Sequence, residues 1–177
     1  PPVKGVSEID YSANFRVFLD SLPTDQPFCF WYGANEPHRP YTRDVWKKKG
    51  RTEASAKVPA YLPDVQEVRG DLLDYAYEIE WFDIHLGQII QELEKRDMMQ
   101  NTIIIVTADN GLPFPGAKAN CYDAGIHVPL AICWQGHILR HGIEQVAVSL
   151  IDIFPTIMEL TGTPYSTIPL SGHSLAP

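Results

Sequence analysis

The 177-residue sequence predicts an α/β fold, a mostly parallel sheet flanked by helices. Three observations carry that prediction. The run "TIIIVTA" at 102–108 has the continuous apolar character of a strand covered on both faces. A shorter run, "PFCFWYGA" at 27–34, is bounded by Pro27 and by "NEPHRP" and reads as a second buried strand. Between them lies a long stretch with helical periodicity, so the order is strand, helix, strand. That is a βαβ unit, which predicts that 28–33 and 102–108 lie parallel in one sheet.

The helix is expected from about Asp64 to Arg96. Asp64 and Glu67 have capping-box spacing, and Leu72, Leu73, Ala76, Ile79, Phe82, Leu86, Ile89, Ile90 and Leu93 recur every three or four residues. Lys95 and Arg96 complement the helix dipole at its end. Beyond the second strand, "VPLAICW" at 128–134 is a further strand. "VAVSLIDIFPTIMELTG" follows as a helix, with Asp152 and Pro155 near its start and Gly162 as its stop. The tail "YSTIPLSGHSLAP" is turn-rich. There is no internal repeat.

Composition excludes several classes. With 45% hydrophobic and 20% charged residues the chain carries a core of ordinary domain size. Its formal charge of −8 argues against a nucleic-acid partner, and no stretch approaches the roughly 20 apolar residues of a membrane span. A local exception is "RDVWKKKGRTEASAKVP", where Arg43, Lys47, Lys48, Lys49, Arg51 and Lys57 crowd an otherwise irregular segment. It reads as a solvated loop, or as a surface that meets an anionic polymer. Cys29, Cys121 and Cys133 have no metal-like spacing; Cys29 and Cys133 read as small core residues, and Cys121 has no base at a suggestive spacing.

The chemistry-bearing residues cluster at strand ends. Ligands of parallel α/β sheets collect beyond the carboxyl ends of the strands, and both His38 and Asp109-Asn110 follow such ends. Asn110-Gly111 by itself is a turn signal. At a strand end, the Asp109 carboxylate and the Asn110 amide oxygen are also hard donors suited to Ca²⁺ or Mg²⁺. Lys118 follows "LPFPG", whose prolines and glycine turn the chain back. A lysine returned to that edge is a point charge for the oxyanion of a sulfate or phosphate ester. His38, stiffened by Pro37 and Pro40, can donate to the same oxyanion or protonate a leaving group.

The ordered succession "PFCFWYGANEPHRPY", "VRGDLLDYAYEIEWFDIHLGQIIQELEK", "NTIIIVTADNG", a lysine, "YDAGIHVPL", "SLIDIFPTIMELTG" and "SGHSLAP" resembles the type I sulfatases of the alkaline-phosphatase superfamily. "DNGLPFPGAKAN" is most similar to the heparan N-sulfatase, or sulfamidase, branch. The resemblance implies that Asp109 and Asn110 are the second pair of Ca²⁺ ligands. It implies that Lys118 holds the sulfate and the nucleophile, and that His38 touches the sulfate. The implied substrate is a sulfated glycosaminoglycan sugar, with an N-sulfated glucosamine unit as the specific expectation.

The departures matter equally. Sulfatases form their nucleophile, a formylglycine, from the cysteine or serine of a C/S-x-P-x-R motif, and these 177 residues contain none. The acidic pair that completes the metal site is also missing, so no nucleophile is assigned in this chain. In "YDAGIHVP", His127 stands where many relatives have arginine. The expectation is a central to C-terminal part of a sulfatase catalytic domain, with an incomplete sheet, inactive alone and needing the remainder of the same polypeptide. By resemblance the complete protein is exported from a bacterium or lysosomal, and the lack of any Asn-x-Ser/Thr sequon favours the former. Two alternatives stay open here: a phosphoesterase of the same superfamily, and a non-catalytic carbohydrate-binding or structural domain in which Asp-Asn-Gly is only a turn.

Overall fold

Helix α3, Gln66–Lys95, organises the first of two units, residues 1–139, in a computed structural model that describes residues 6–23, 25–138, 142–164 and 169–176. Its start differs from expectation. Val65 is the N-cap and no side chain caps it, because the Asp64 carboxylate is taken by the Arg69 guanidinium at 2.6 and 2.7 Å. The buried face carries Leu73, Tyr77, Ile89 and Leu93 as a helical stripe, interleaved with Asp74, Glu78 and His85. Ile79 is exposed instead.

An element that the apolar runs do not signal precedes the first of them. Helix α1, Tyr11–Ser21, is capped by Asp10, whose carboxylate accepts from the Ala13 backbone at 2.8 Å. Phe15 and Leu19 recur one turn apart, and they meet Ile89 and Leu93 of α3 in the main core.

Phe28, Phe30, Tyr32 and Ile104 pack against that core. The 28–33 run is therefore extended with period two, its even residues inward and Cys29, Trp31 and Gly33 exposed, Trp31 to 86%. It makes no ladder with another strand among the described residues, so the expected parallel pairing with 102–108 is not found. The sheet here consists of β1, Ile104–Thr107, and β2, Leu130–Cys133, paired antiparallel with Ile104 opposite Cys133 and Thr107 opposite Leu130. Both strands are shorter than expected, and β1 is half-buried rather than covered on both faces. Cys29 and Cys133 are exposed, since each falls on the outward side of its alternating segment.

The basic segment is partly ordered. It contains the short helix α2, Val45–Lys48, whose Val45 and Trp46 are buried against α3. Asp74 of α3 caps α2 from a distance, accepting from the backbone amides of Asp44, Val45 and Trp46 at 2.9, 2.9 and 3.3 Å. Lys47 pairs with Asp44 at 2.8 Å and Arg51 pairs with Glu80. The one-turn helix α4, Asp123–Ile126, lies between β1 and β2.

The second unit, residues 140–177, holds α5, Ile153–Thr161, preceded by a 3-10 turn over Leu150–Asp152. Helical structure starts at 150 rather than 146 because Ser149 and Asp152 form a reciprocal capping box. Gly162, at φ +62, ends it as expected. Asp152 also accepts from the backbone of His173 at 2.8 Å, and Thr156 Oγ1 from that of Leu175 at 2.8 Å, which pins the tail to α5. Residues 165–168 and 177 of that tail lie outside the described residues. No helix among the described residues is long and apolar enough to cross a membrane.

Candidate active-site edge

Two loops carry the chemistry-bearing residues. The first, 35–41, leaves the extended 28–33 run. Its Asn35 carbonyl accepts from the His38 amide at 2.8 Å, making a turn that places His38 at the surface. His38 Nδ1 lies 2.7 Å from the Arg39 carbonyl oxygen. A carbonyl only accepts, so Nδ1 carries a proton, and Nε2 has no hydrogen-bond partner among the described residues.

The second loop begins where β1 ends. Asp109 is exposed, and Asn110 donates from Nδ2 to Asp109 Oδ1 at 2.6 Å. Gly111 is required here by close approach. A Cβ on it would come within 1.9 Å of the Ala124 carbonyl oxygen, while its amide donates to the Gly125 carbonyl at 2.9 Å. The chain then folds back as expected: Phe114 and Lys118 both donate backbone hydrogen bonds to the Leu112 carbonyl, at 2.8 and 3.2 Å. The ammonium of Lys118 has no ion pair among the described residues.

Arg39, which sequence reasoning passed over, joins the loops. Its Nε donates to the Pro113 carbonyl at 3.0 Å, and its guanidinium forms a bidentate pair with Asp71 of α3. The same guanidinium lies 4.6 Å from the centre of the Tyr41 ring and 4.7 Å from that of Phe114. Phe114 is buried and meets Tyr75 of α3 edge-on at 5.9 Å. The hydrogen bonds to Asp71 push the Arg39 pKa upward, so its charge is permanent. Among the described residues, no side-chain contact joins His38, Asp109, Asn110 and Lys118 to one another except the one between Asp109 and Asn110.

A cleft of roughly 710 Å³ adjoins His38 and is also lined by Asn35, Glu36, Arg39, Tyr41 and Glu78. Glu36 is buried, its carboxylate accepting from the Ser7 amide and from the Tyr11 hydroxyl at 3.4 Å. Glu78 is 3% exposed and has no hydrogen-bond partner among the described residues. Desolvation first, and then the neighbouring Glu36 and Asp74 charges, push its pKa up to about 7. No residue type or spacing signals this carboxyl, which sits in a helix rich in acids.

As a metal centre the donors fit in kind and fall short in number. Asp109 and Asn110 offer two hard oxygens, whereas Ca²⁺ takes about six to eight. No group of three or more His, Cys, Asp or Glu side chains among the described residues is placed to hold an ion. His127 pairs with Asp123 at 3.3 Å on the exposed face of α4, and Cys121 is exposed and free.

Comparison with known proteins gives the family of the chain. The profile of the Sulfatase family matches residues 1–163. Human N-sulphoglucosamine sulphohydrolase is 31% identical over 89% of this chain, and human arylsulfatase K is 38% identical, also over 89%. An ulvan-active sulfatase of Formosa agariphila is 26% identical over 74%. The matched parts are 33%, 36% and 22% of those proteins, so the chain spans about a third of their length or less. A solved structure from work on glycosaminoglycan metabolism by Bacteroides thetaiotaomicron superposes with a TM-score of 0.78 at 21% identity, over 95% of this chain and 37% of that one. Ps i-CgsB in complex with k-i-k-neocarrahexaose gives 0.63 at 22%, over 98% and 38%. These structures establish the α/β fold, of which the antiparallel pair and the extended 28–33 run are a part. On its sequence, the chain belongs to the sulfatase family.

Proposed function

We propose that the complete polypeptide releases sulfate from a sulfated glycosaminoglycan sugar, with an N-sulfated glucosamine unit as its substrate. This chain would be the central to C-terminal part of the catalytic domain. The observation that carries the reading is the ammonium of Lys118, without an ion pair among the described residues, on a loop fastened to the loop that carries His38. Two groups suited to an oxyanion and its leaving group are thereby held by neighbouring loops.

In this reading Lys118 pairs with sulfate oxygens and offsets their charge in the transition state. His38, with Nδ1–H anchored on the Arg39 carbonyl, acts in its imidazolium form: it gives the Nε2 proton to the departing nitrogen or oxygen and is left as the neutral ring. Asp109 and Asn110 supply two of the oxygens of a Ca²⁺ site whose other ligands come from the rest of the polypeptide. A formylglycine there supplies the nucleophile. The residues described here bind and orient the sulfate and manage the leaving-group proton. The same reading makes the complete protein an exported bacterial or a lysosomal one.

The test uses the complete polypeptide and three substrates: N-sulfoglucosamine, an O-sulfated sugar and a phosphate monoester. Sulfate release with preference for the N-sulfated sugar supports the reading. Preference for the phosphate monoester supports a phosphoesterase instead. No turnover together with no calcium binding, measured by titration of the unmodified and Asp109→Ala proteins, supports a non-catalytic domain.

A further inference from the structure

We propose that Arg39 is a positioning residue: it holds the His38 loop and the Lys118 loop in one fixed relation, so that both side chains address the same sulfate group. The inference rests on the reading of these two loops as the active-site edge. Arg39 would not touch the substrate; it acts through His38 and Lys118.

Several contacts converge on this one residue. Its backbone carbonyl sets the ring of His38 by accepting from Nδ1 at 2.7 Å. Its Nε reaches the Pro113 carbonyl at 3.0 Å, inside the turn whose Leu112 carbonyl accepts from the Lys118 amide at 3.2 Å. Its two terminal nitrogens grip Asp71, which belongs to the rigid 30-residue α3. Its guanidinium carbon lies over the rings of both Tyr41, from the first loop, and Phe114, from the second. Among the described residues, no other hydrogen bond runs between 35–41 and 111–118. Only arginine fits these demands together, because its planar fork pairs bidentately and stacks on rings while keeping Nε free for a third acceptor.

Magnitudes separate this role from plain stabilisation. The Arg39–Asp71 pair is 38% exposed on each side. Ion pairs that exposed contribute little to stability. Its other contacts lie within the two loops, so removing Arg39 is expected to loosen those loops more than the global fold. A displacement of either loop by about 1 Å costs on the order of 100-fold in rate. Activity should thus fall far more than stability.

The experiment compares Arg39→Ala and Arg39→Lys in the complete polypeptide, each with and without Lys118→Ala, and adds Asp71→Asn in case the alanine variant folds poorly. Readouts are Tm, kcat and KM for the sulfated sugar, and amide hydrogen exchange of 38–41 and 112–118. The expected result is a small change in Tm and faster exchange in both loops but not in α3. The kcat should fall about 100-fold with KM nearly unchanged, as for a misplaced catalytic group. Lysine should recover only a small part, and Lys118→Ala should cost less in the Arg39→Ala background. Unchanged exchange at 112–118, or full additivity with Lys118→Ala, would overturn the proposal. If the unsubstituted polypeptide releases no sulfate, the sulfatase reading has failed, and the exchange data alone decide whether Arg39 ties the loops.

Discussion

His38 Nδ1 lies 2.7 Å from the carbonyl oxygen of Arg39, and this contact leaves Nε2 as the ring nitrogen with no hydrogen-bond partner among the described residues. Asparagine reproduces an Nδ1-like donor but nothing at the Nε2 position, whereas glutamine reaches the Nε2 position. His38→Asn is therefore expected to keep the native Tm while losing on the order of 10²–10⁴ in kcat, the range of a general acid. His38→Gln should lose less on substrates with good leaving groups. Steady-state kinetics on the complete polypeptide check this, and an asparagine variant as active as the parent would contradict it.

Asp74 satisfies three backbone amides at the start of α2, two of them belonging to the buried residues Val45 and Trp46. Alanine leaves these donors without an acceptor, at a cost of about 1–3 kcal/mol for a buried unsatisfied group. Urea denaturation of Asp74→Ala should show a loss of at least about 2 kcal/mol. Asp74→Asn, which keeps one acceptor oxygen, should lose less. Equal losses would mean that charge rather than acceptor geometry matters.

Glu78 gives a stability term that depends on pH. Its folded pKa is raised to about 7 from 4.5, by desolvation first and then by Glu36 and Asp74, while His38 and Arg39 line the same cleft. The folded state holds this proton more tightly than the unfolded state. Its contribution is therefore fully present below pH 4.5 and is lost as pH rises to about 7. Glu78→Gln stays neutral throughout. The Tm difference, glutamine variant minus parent, should grow between those limits and flatten above them. A difference independent of pH would show that Glu78 ionises normally.

Gly111 has no room for a side chain, because a Cβ would lie 1.9 Å from the Ala124 carbonyl oxygen. Gly111→Ala must push apart the 109–111 and 124–125 segments and break the Gly111 to Gly125 hydrogen bond. Calcium affinity of the complete polypeptide should fall as Asp109 and Asn110 shift, with Tm lowered as well. Unaltered affinity by calorimetric titration would remove these two residues from the metal site.

The parts legible in the sequence are those with local signals. The period of α3, the strand character of 102–108, the Gly162 stop and the turn at "LPFPG" depend on neighbours within a few residues. Lys118 and His38 were legible as loop residues after apolar runs. Long-range relations were not. The Arg39 to Pro113 bond spans 74 positions, and nothing beside Arg39 announces it. Asp71, Asp74 and Glu78 have the spacing of one helix face, yet acids at that spacing ordinarily face water; here they meet the 36–46 segment instead. Helix α1 did carry a signal, Asp10 before Tyr11, Phe15 and Leu19, but its interrupting polar residues leave no continuous apolar run. The antiparallel β1–β2 pairing was hidden because a buried strand's composition carries no direction.

The most direct measurement is sulfate release from N-sulfoglucosamine by the complete polypeptide, with and without Lys118→Ala, beside the 177-residue chain alone. Turnover by the complete polypeptide is expected, with a fall on the order of 10²–10³ in the Lys118→Ala protein as for loss of an oxyanion-stabilising donor, and none by the chain alone. Full activity in the Lys118→Ala protein, or sulfate release by the 177-residue chain that Lys118→Ala abolishes, would contradict that expectation.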